Sequence, residues 1–379
     1  MIGHRVTRPR RAGSWGFVRS AAAALVVSCS PQGGSGGTGI APPPPAAAPL
    51  ARSGSGTASA QTALPSGPLA APTDAGPKPS EPGAAVAPAP VISGDEAEEI
   101  LFPAVKDRRV HRATCPSSLP DDARIRCLLG IRFQGDDAAR STAIALYALA
   151  GSVAGVEGDR LFDGGYRGTI HLVPEPPTFR YHVHLSWVAE AARDHDAFFK
   201  GLTAGHPDAA VRYRWKPIAL RYFRSVGKRT PSAYAGGWTI AYNVSGSLHT
   251  SASAVRETMF HEIFHLNDAA HDRWSEAALS PLYDGIVRAC GTGFACLTPY
   301  TPNSTTVKGG TYYAFQPGNG VVEYAAELAL RYYREQRALI RREPPIRPAF
   351  KCGPSANRRA WELVVNEFFG GIDLTAPCH

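Results

Sequence analysis

From Ser30 to about Gly94 the chain is built largely from Pro, Ala, Gly and Ser, as in "GIAPPPPAAAPLARSGSGTASA". A segment with so few large apolar side chains cannot offset the conformational entropy it would lose on folding. No hydrophobic core can be assembled there, so residues 95–379 must supply whatever folds. The segment reads as a spacer of mixed stiffness, long enough to hold a domain away from a membrane surface.

The residues before the spacer read as an export signal. Arg5, Arg8, Arg10, Arg11 and Arg19 occur without an acidic residue, and "AAAALVV" and then "SCS" around Cys29 follow. A basic region, a short apolar core and small residues are the pattern of a cleaved targeting segment. Cys29 directly after "VVS" resembles a bacterial lipoprotein signal, although Val26 stands where that family usually has leucine. The resemblance implies a lipidated Cys29 as the mature N-terminus, at the outer membrane or cell surface. An ordinary secretory signal with an incidental cysteine is the alternative. No other stretch approaches the ~18 consecutive apolar residues that span a bilayer. The formal charge of +8 does not point to nucleic acid: five of those charges are the signal-region arginines, and subtracting them leaves about +3 with no dense basic patch.

Six cysteines remain beyond Cys29, and they lie as Cys115 with Cys127, Cys290 with Cys296, and Cys352 with Cys378. An even count in an exported domain suggests disulfides, and pairing neighbours is the simplest of fifteen possibilities. No C-x-x-C pair supports a cysteine-ligated metal.

The hydrophobic pattern from Asp95 onward predicts an α+β domain, with a mixed sheet portion first and a mostly helical portion after it. "DDAARSTAIALYALAGSVAG" reads as a helix, opened by aspartates and closed by glycine. "GTIHLV" reads as a strand. "FRYHVHLSW" alternates, which predicts a strand with Arg180, His182 and His184 on its wet face. A metal site at His182 and His184 is the other reading of that pair. "VAEAARDHDAFFKGL" is helical in pattern, while "RYRWKPIALRYF" and "GGWTIAYNV" read as strands. Ser251 or Ser253 can cap the helix that follows.

That helix carries "TMFHEIFHLNDAAHDRW", residues 258–274, in which His261, Glu262 and His265 form H-E-x-x-H. Residues four apart share a helix face, so both imidazoles can point at one ion. Glu262 is rotated by one residue and can reach a water on that ion without binding the metal itself. Zinc lowers the pKa of such a water toward ~7, and the glutamate can take its proton. The other side of the helix, with Val255, Met259, Phe260, Ile263, Phe264 and Leu266, is apolar.

Downstream, every residue between Gly320 and Arg331 is apolar or aromatic except Glu323 and Glu327. Two carboxylates at i and i+4 in a buried helix need partners, because an unpaired buried charge is costly. A Zn2+ ion with its histidines would satisfy both, Glu323 as ligand and Glu327 by accepting from the far nitrogen of a ligand histidine. Ion pairs with Arg331 or Arg334 are the plainer reading.

The two motifs together resemble those of the gluzincin metallopeptidases, and "EYAAELA" is similar to the glutamate helix of lethal-factor-like members. The resemblance covers roughly residues 237–335. It implies a zincin-like fold, His261, His265 and Glu323 as metal ligands, Glu262 as general base, and peptides or proteins as substrate. It also makes "GGWTIAYNV" the edge strand that pairs with an extended substrate. The family places a tyrosine or histidine at the oxyanion, and "GGTYYAF" offers Tyr312 and Tyr313 without choosing between them, core packing being an equal account of both.

Two other readings stand beside this one. The spacing H-E-x-x-H-x-x-D-x-x-H is that of metzincins, with His271 as third ligand. That arrangement needs the chain to leave the helix where Asp268 stands, and a methionine turn below the site, yet no methionine follows Met259. A helix that continued would carry His271 about 15 Å along the axis from His261. The second alternative is a non-catalytic zinc-binding surface lipoprotein. Glu262 counts against it, since a structural site has no use for a base and is normally closed by four protein ligands.

Overall fold

The computed structural model describes residues 91–164, 168–307 and 310–378. The signal-like segment, Cys29 and the spacer up to residue 90 lie outside the described residues. Ile92 is already buried and Ser93 caps the first helix, so packing begins slightly before Asp95.

Four helices come first: α1 (Gly94–Leu101), α2 (Val105–Thr114), α3 (Asp121–Arg132) and α4 (Asp137–Ala150). Strands β1 (Val153–Val156), β2 (Arg160–Asp163) and β3 (Thr169–Pro174) lead to α5 (His182–Thr203). Then come β4 (Ala219–Ser225), β5 (Ala233–Gly236) and β6 (Thr239–Asn243). Helices α6 (Ala252–Ala270), α7 (Trp274–Cys290), α8 (Phe294–Leu297), α9 (Val321–Ile340) and α10 (Ser355–Phe368) complete the chain. The arrangement is mixed α and β, as the pattern predicts.

The strands form one sheet in the order β2-β3-β4-β6-β5, with β1 parallel to the first half of β4. β4 and β6 are also parallel, with Leu220 opposite Ile240 and Tyr222 opposite Tyr242. Alternation sends Leu220, Tyr222, Ile240 and Tyr242 into the main core, which also takes in the buried faces of α5, α6 and α9. Phe223, Ala241, Ile170 and Leu172 form a small separate core.

Three expectations about strands need correction. "FRYHVHLSW" is no strand: Phe179–Tyr181 make a short 3-10 turn and His182 begins α5. Leu185, Val188, Ala189, Phe198 and Leu202 repeat at helical spacing over about five turns, and that longer period overrides nine residues of local alternation. His182 and His184 therefore form neither a wet strand face nor a metal pair. His184 is buried with Nδ1 3.0 Å from the Tyr242 hydroxyl, and His182 Nε2 lies 3.2 Å from the Thr142 hydroxyl. "RYRWKPIALRYF" enters the sheet only at Ala219, while Arg212 and Tyr213 donate their amides to the Phe368 carbonyl.

The third correction concerns the edge of the sheet. β6 is an interior strand, because β5 folds back against it through a two-residue hairpin. Gly237 and Trp238 both have positive φ, 58° and 57°, the geometry that matches the twist of paired strands. The Arg214 guanidinium lies 3.6 Å from the Trp238 ring centre and covers it. The edge role expected of Gly236–Val244 thus belongs to β5.

The cysteines pair as their proximity predicts: Cys115–Cys127, Cys290–Cys296 and Cys352–Cys378. No helix among the described residues is long and apolar enough to cross a membrane.

Asp194 joins three helices near the site. On α5 it accepts from Arg337 Nε and Nη2 of α9, both at 2.9 Å, from Arg341 Nη1 at 2.7 Å and from the Tyr333 hydroxyl. Arg256 Nε of α6 is 4.0 Å away. Burial pushes the carboxyl up, but these partners outweigh it and hold Asp194 at about 2, below its ordinary 3.8. Asp194→Asn should cost about 3 kcal/mol of stability, since it leaves the partly buried Arg337 and Arg256 guanidinium groups without their counter-charge. The group's folded pKa is depressed, so its contribution is present in full above about pH 4 and is lost as pH falls toward 2. Denaturant unfolding of both proteins at pH 7 and in acid checks this: the gap should close on acidification.

Candidate metal centre

The centre is built by α6 and α9, with the turn before α9. Ser251 starts α6 by accepting from the Ala254 amide at 3.2 Å, which makes it the cap. The apolar face formed by Val255, Met259, Phe260, Ile263 and Phe264 sinks into the core and fixes the helix rotation. Positions 261 and 265 then face α9. There Glu323 sits in the first turn behind Gly320, whose φ of 76° lets the chain turn into the helix.

His261, His265 and Glu323 each direct one ligand atom to a common point, all within 4.8 Å of one another. His261 Nε2 is 3.1 Å from Glu323 Oε2 and 3.1 Å from His265 Nε2, and His265 Nε2 is 3.5 Å from Glu323 Oε2. On the other side of the His261 ring, Nδ1 lies 3.2 Å from Glu327 Oε1. That contact fixes Nδ1 as the donor and leaves Nε2 turned toward the cluster. Arg331 and Arg334 are engaged elsewhere, with Glu335 and Glu257, so the plainer ion-pair reading of Glu323 and Glu327 does not hold.

The electrostatics favour added positive charge. Burial pulls the His261 imidazolium down, but Glu323 and Glu327 outweigh it and hold it up at about 10. Burial likewise pushes the Glu323 carboxyl up, and His265 and His261 outweigh that to hold it well below the usual carboxylate range. Two nearly inaccessible carboxylates thus require a cation between them. A dication on the three converging atoms meets the same need as the proton on His261 and would displace it. Two imidazole nitrogens and one carboxylate oxygen form a set suited to Zn2+.

Glu262 is not one of the three converging ligands but lines the same cleft as His261. It is 1% exposed, its Oε2 has no hydrogen-bond partner among the described residues, and burial pushes its carboxyl up to about 7. A buried carboxylate oxygen with no partner is costly unless something else occupies its surroundings.

The two tyrosines separate cleanly. The Tyr313 hydroxyl donates to Glu323 Oε2 at 2.8 Å and belongs to the centre. Tyr312 turns away: its hydroxyl is 3.0 Å from Thr298 Oγ1 and its ring stacks on Phe294. The oxyanion role left open between them cannot fall to Tyr312.

His271 lies outside the cluster. α6 runs on through Asp268 to Ala270, and the residues with left-handed φ are Asp272 and Arg273, beyond His271. Asp268 is occupied in joining α6 to α7, accepting from the Ser275 amide and hydroxyl at 2.7 Å each. His271 Nδ1 pairs with Glu367 of α10 at 2.7 Å. The metzincin ligand set is not formed.

Sequence reasoning missed Asn303. It is buried in the loop before α9, and its Nδ2 donates to Glu327 Oε2 at 3.0 Å and to the Glu327 carbonyl at 2.8 Å. Nothing in "TPYTPNSTT" marks one asparagine as special. A cleft of about 150 Å³ opens beside the centre, reaching His261, Glu262 and Tyr313 and bounded in part by Ser232 and Ala233 at the edge strand.

No family model, curated protein or solved structure matches this chain.

Proposed function

We propose that the chain is an exported zinc-dependent endopeptidase of gluzincin type. One observation carries the reading: His261, His265 and Glu323 converge from two helices while an unpartnered, buried Glu262 oxygen lies beside them. His261, His265 and Glu323 would hold the ion, leaving a position open for water or substrate. When bound, zinc supplies Lewis-acid polarisation and a water of lowered pKa.

The remaining steps belong to the chain's own residues. Glu262 takes a proton from the attacking water and later delivers it to the leaving amine; burial raises its carboxyl above the ordinary range, which favours proton uptake. Glu327, itself held by Asn303, keeps His261 in one tautomer and orientation. Tyr313 brings a hydroxyl donor to the centre, where negative charge develops on the carbonyl oxygen. The free edge of β5 offers backbone groups to an extended substrate.

Metal analysis of the purified protein, together with cleavage of an unstructured protein, tests the reading. The expected result is about one zinc per chain and hydrolysis that stops on chelation and returns with zinc. Metal-loaded protein that leaves every unstructured substrate intact would overturn it.

The export part of the proposal rests on residues 1–29. Lipid on Cys29 should hold the protein in the membrane fraction, and Cys29→Ala should shift it to the soluble fraction. Equal release of both forms would favour simple secretion instead.

A further inference from the structure

The cleft beside the centre has a composition that selects its occupant. Its lining carries an apolar part, from Ala233, Leu248, Ala254 and Leu330, beside Ser232, Thr258 and Thr305, and it takes in His261 and Glu262. Glu257 is part of the same lining. It sits four residues before His261 on α6, hence on the same face and about 6 Å along the axis. That rise is comparable to the reach of one long side chain. Among the described residues that line the cleft there is no lysine or arginine.

From this we infer that the cleft is a subsite for a lysine or arginine side chain of the substrate, next to the scissile bond, with Glu257 as the residue that recognises the cationic head. The inference rests on the peptidase reading and adds to it the class of peptide cut. Lysine and arginine combine an apolar stem with a charged tip, so the apolar walls take the stem and the carboxylate takes the tip. A leucine or phenylalanine would cover the same walls but strip water from Glu257 without replacing it. An acidic side chain would meet a like charge.

Glu257 has a partner at present, Arg334 Nε at 3.6 Å, with both side chains about one-third exposed. A pair that open and that long contributes little. Arg334 Nη1 is in addition committed to Asn303 Oδ1 at 2.9 Å, so Arg334 stays anchored when Glu257 turns to a substrate.

The test uses the zinc-loaded protein and a set of quenched peptides identical except for Lys, Arg, Leu or Glu beside the cleaved bond. Lys and Arg peptides should exceed the Leu peptide in kcat/KM by about tenfold or more, the scale of one charge pair in a partly closed pocket. Glu257→Gln should erase most of that preference with little change for Leu, and Glu257→Lys should turn it toward the Glu peptide. A second readout needs no turnover: titration of metal-free protein with argininamide and leucinamide, followed by NMR. Argininamide should shift the resonances around Glu257 and bind at least several-fold more weakly to Glu257→Gln. Cleavage of Leu peptides as well as Lys peptides in both proteins, with no argininamide binding, would overturn the subsite and leave the peptidase standing. Argininamide binding that depends on Glu257, with no peptide cleaved, would do the reverse.

Discussion

Glu262→Gln is expected to lower peptide hydrolysis by roughly 10³-fold, the scale of a general base, while zinc stays bound. Glutamine keeps the shape of the side chain but cannot take up a proton, and none of the three converging ligand atoms belongs to residue 262. The fold should not suffer. The Glu262 carboxylate is buried with one oxygen unpartnered, so a neutral amide removes a desolvated charge and should leave the melting temperature unchanged or raise it. Zinc content, thermal melting and cleavage rate on the same preparation separate these effects. Undiminished turnover would remove Glu262 from the mechanism.

Glu323→Ala should weaken zinc binding more than 100-fold, exceeding the 10–100-fold typical of residues that only orient a ligand. It deletes one of three donor atoms and leaves His261 and His265 without the carboxylate they share. His271→Ala is the matched control: it removes a histidine of the same helix region whose partner is Glu367, and zinc should be retained in full. Competition with a chromophoric chelator measures both. Circular dichroism on the Glu323 variant guards against simple unfolding, and Glu323→Gln, with the same shape, should fall between the two. Loss of metal from the histidine variant with full retention in the glutamate variant would reverse the ligand assignment.

Local patterns were legible wherever a residue's neighbours in sequence are also its neighbours in space. His261 and His265 lie one helical turn apart, and so do Glu323 and Glu327; the three disulfides join cysteines that are close along the chain. Helix period and short loop closure set such relations without help from the rest of the fold. The buried carboxylates of α9 were informative for the same reason. Charge in an apolar helix requires a partner, although the pattern does not say which.

What the sequence alone determined, then, is a mixed α and β composition from about Asp95 onward and two helices bearing matched metal-type residues. The tertiary structure decided everything that depends on chain segments meeting at a distance. It turned "FRYHVHLSW" into helix because the core takes the helical face of Leu185, Val188 and Leu202, which nine alternating residues cannot outweigh. It put β5, not β6, at the sheet edge through a two-residue turn. It chose Tyr313 over Tyr312, although the two are adjacent in sequence, because one ring points to Glu323 and the other to Thr298. It also brought Asn303 to Glu327 across 24 residues. Side-chain direction and long-range pairing are set by packing against the whole core, and no short stretch of sequence contains that information.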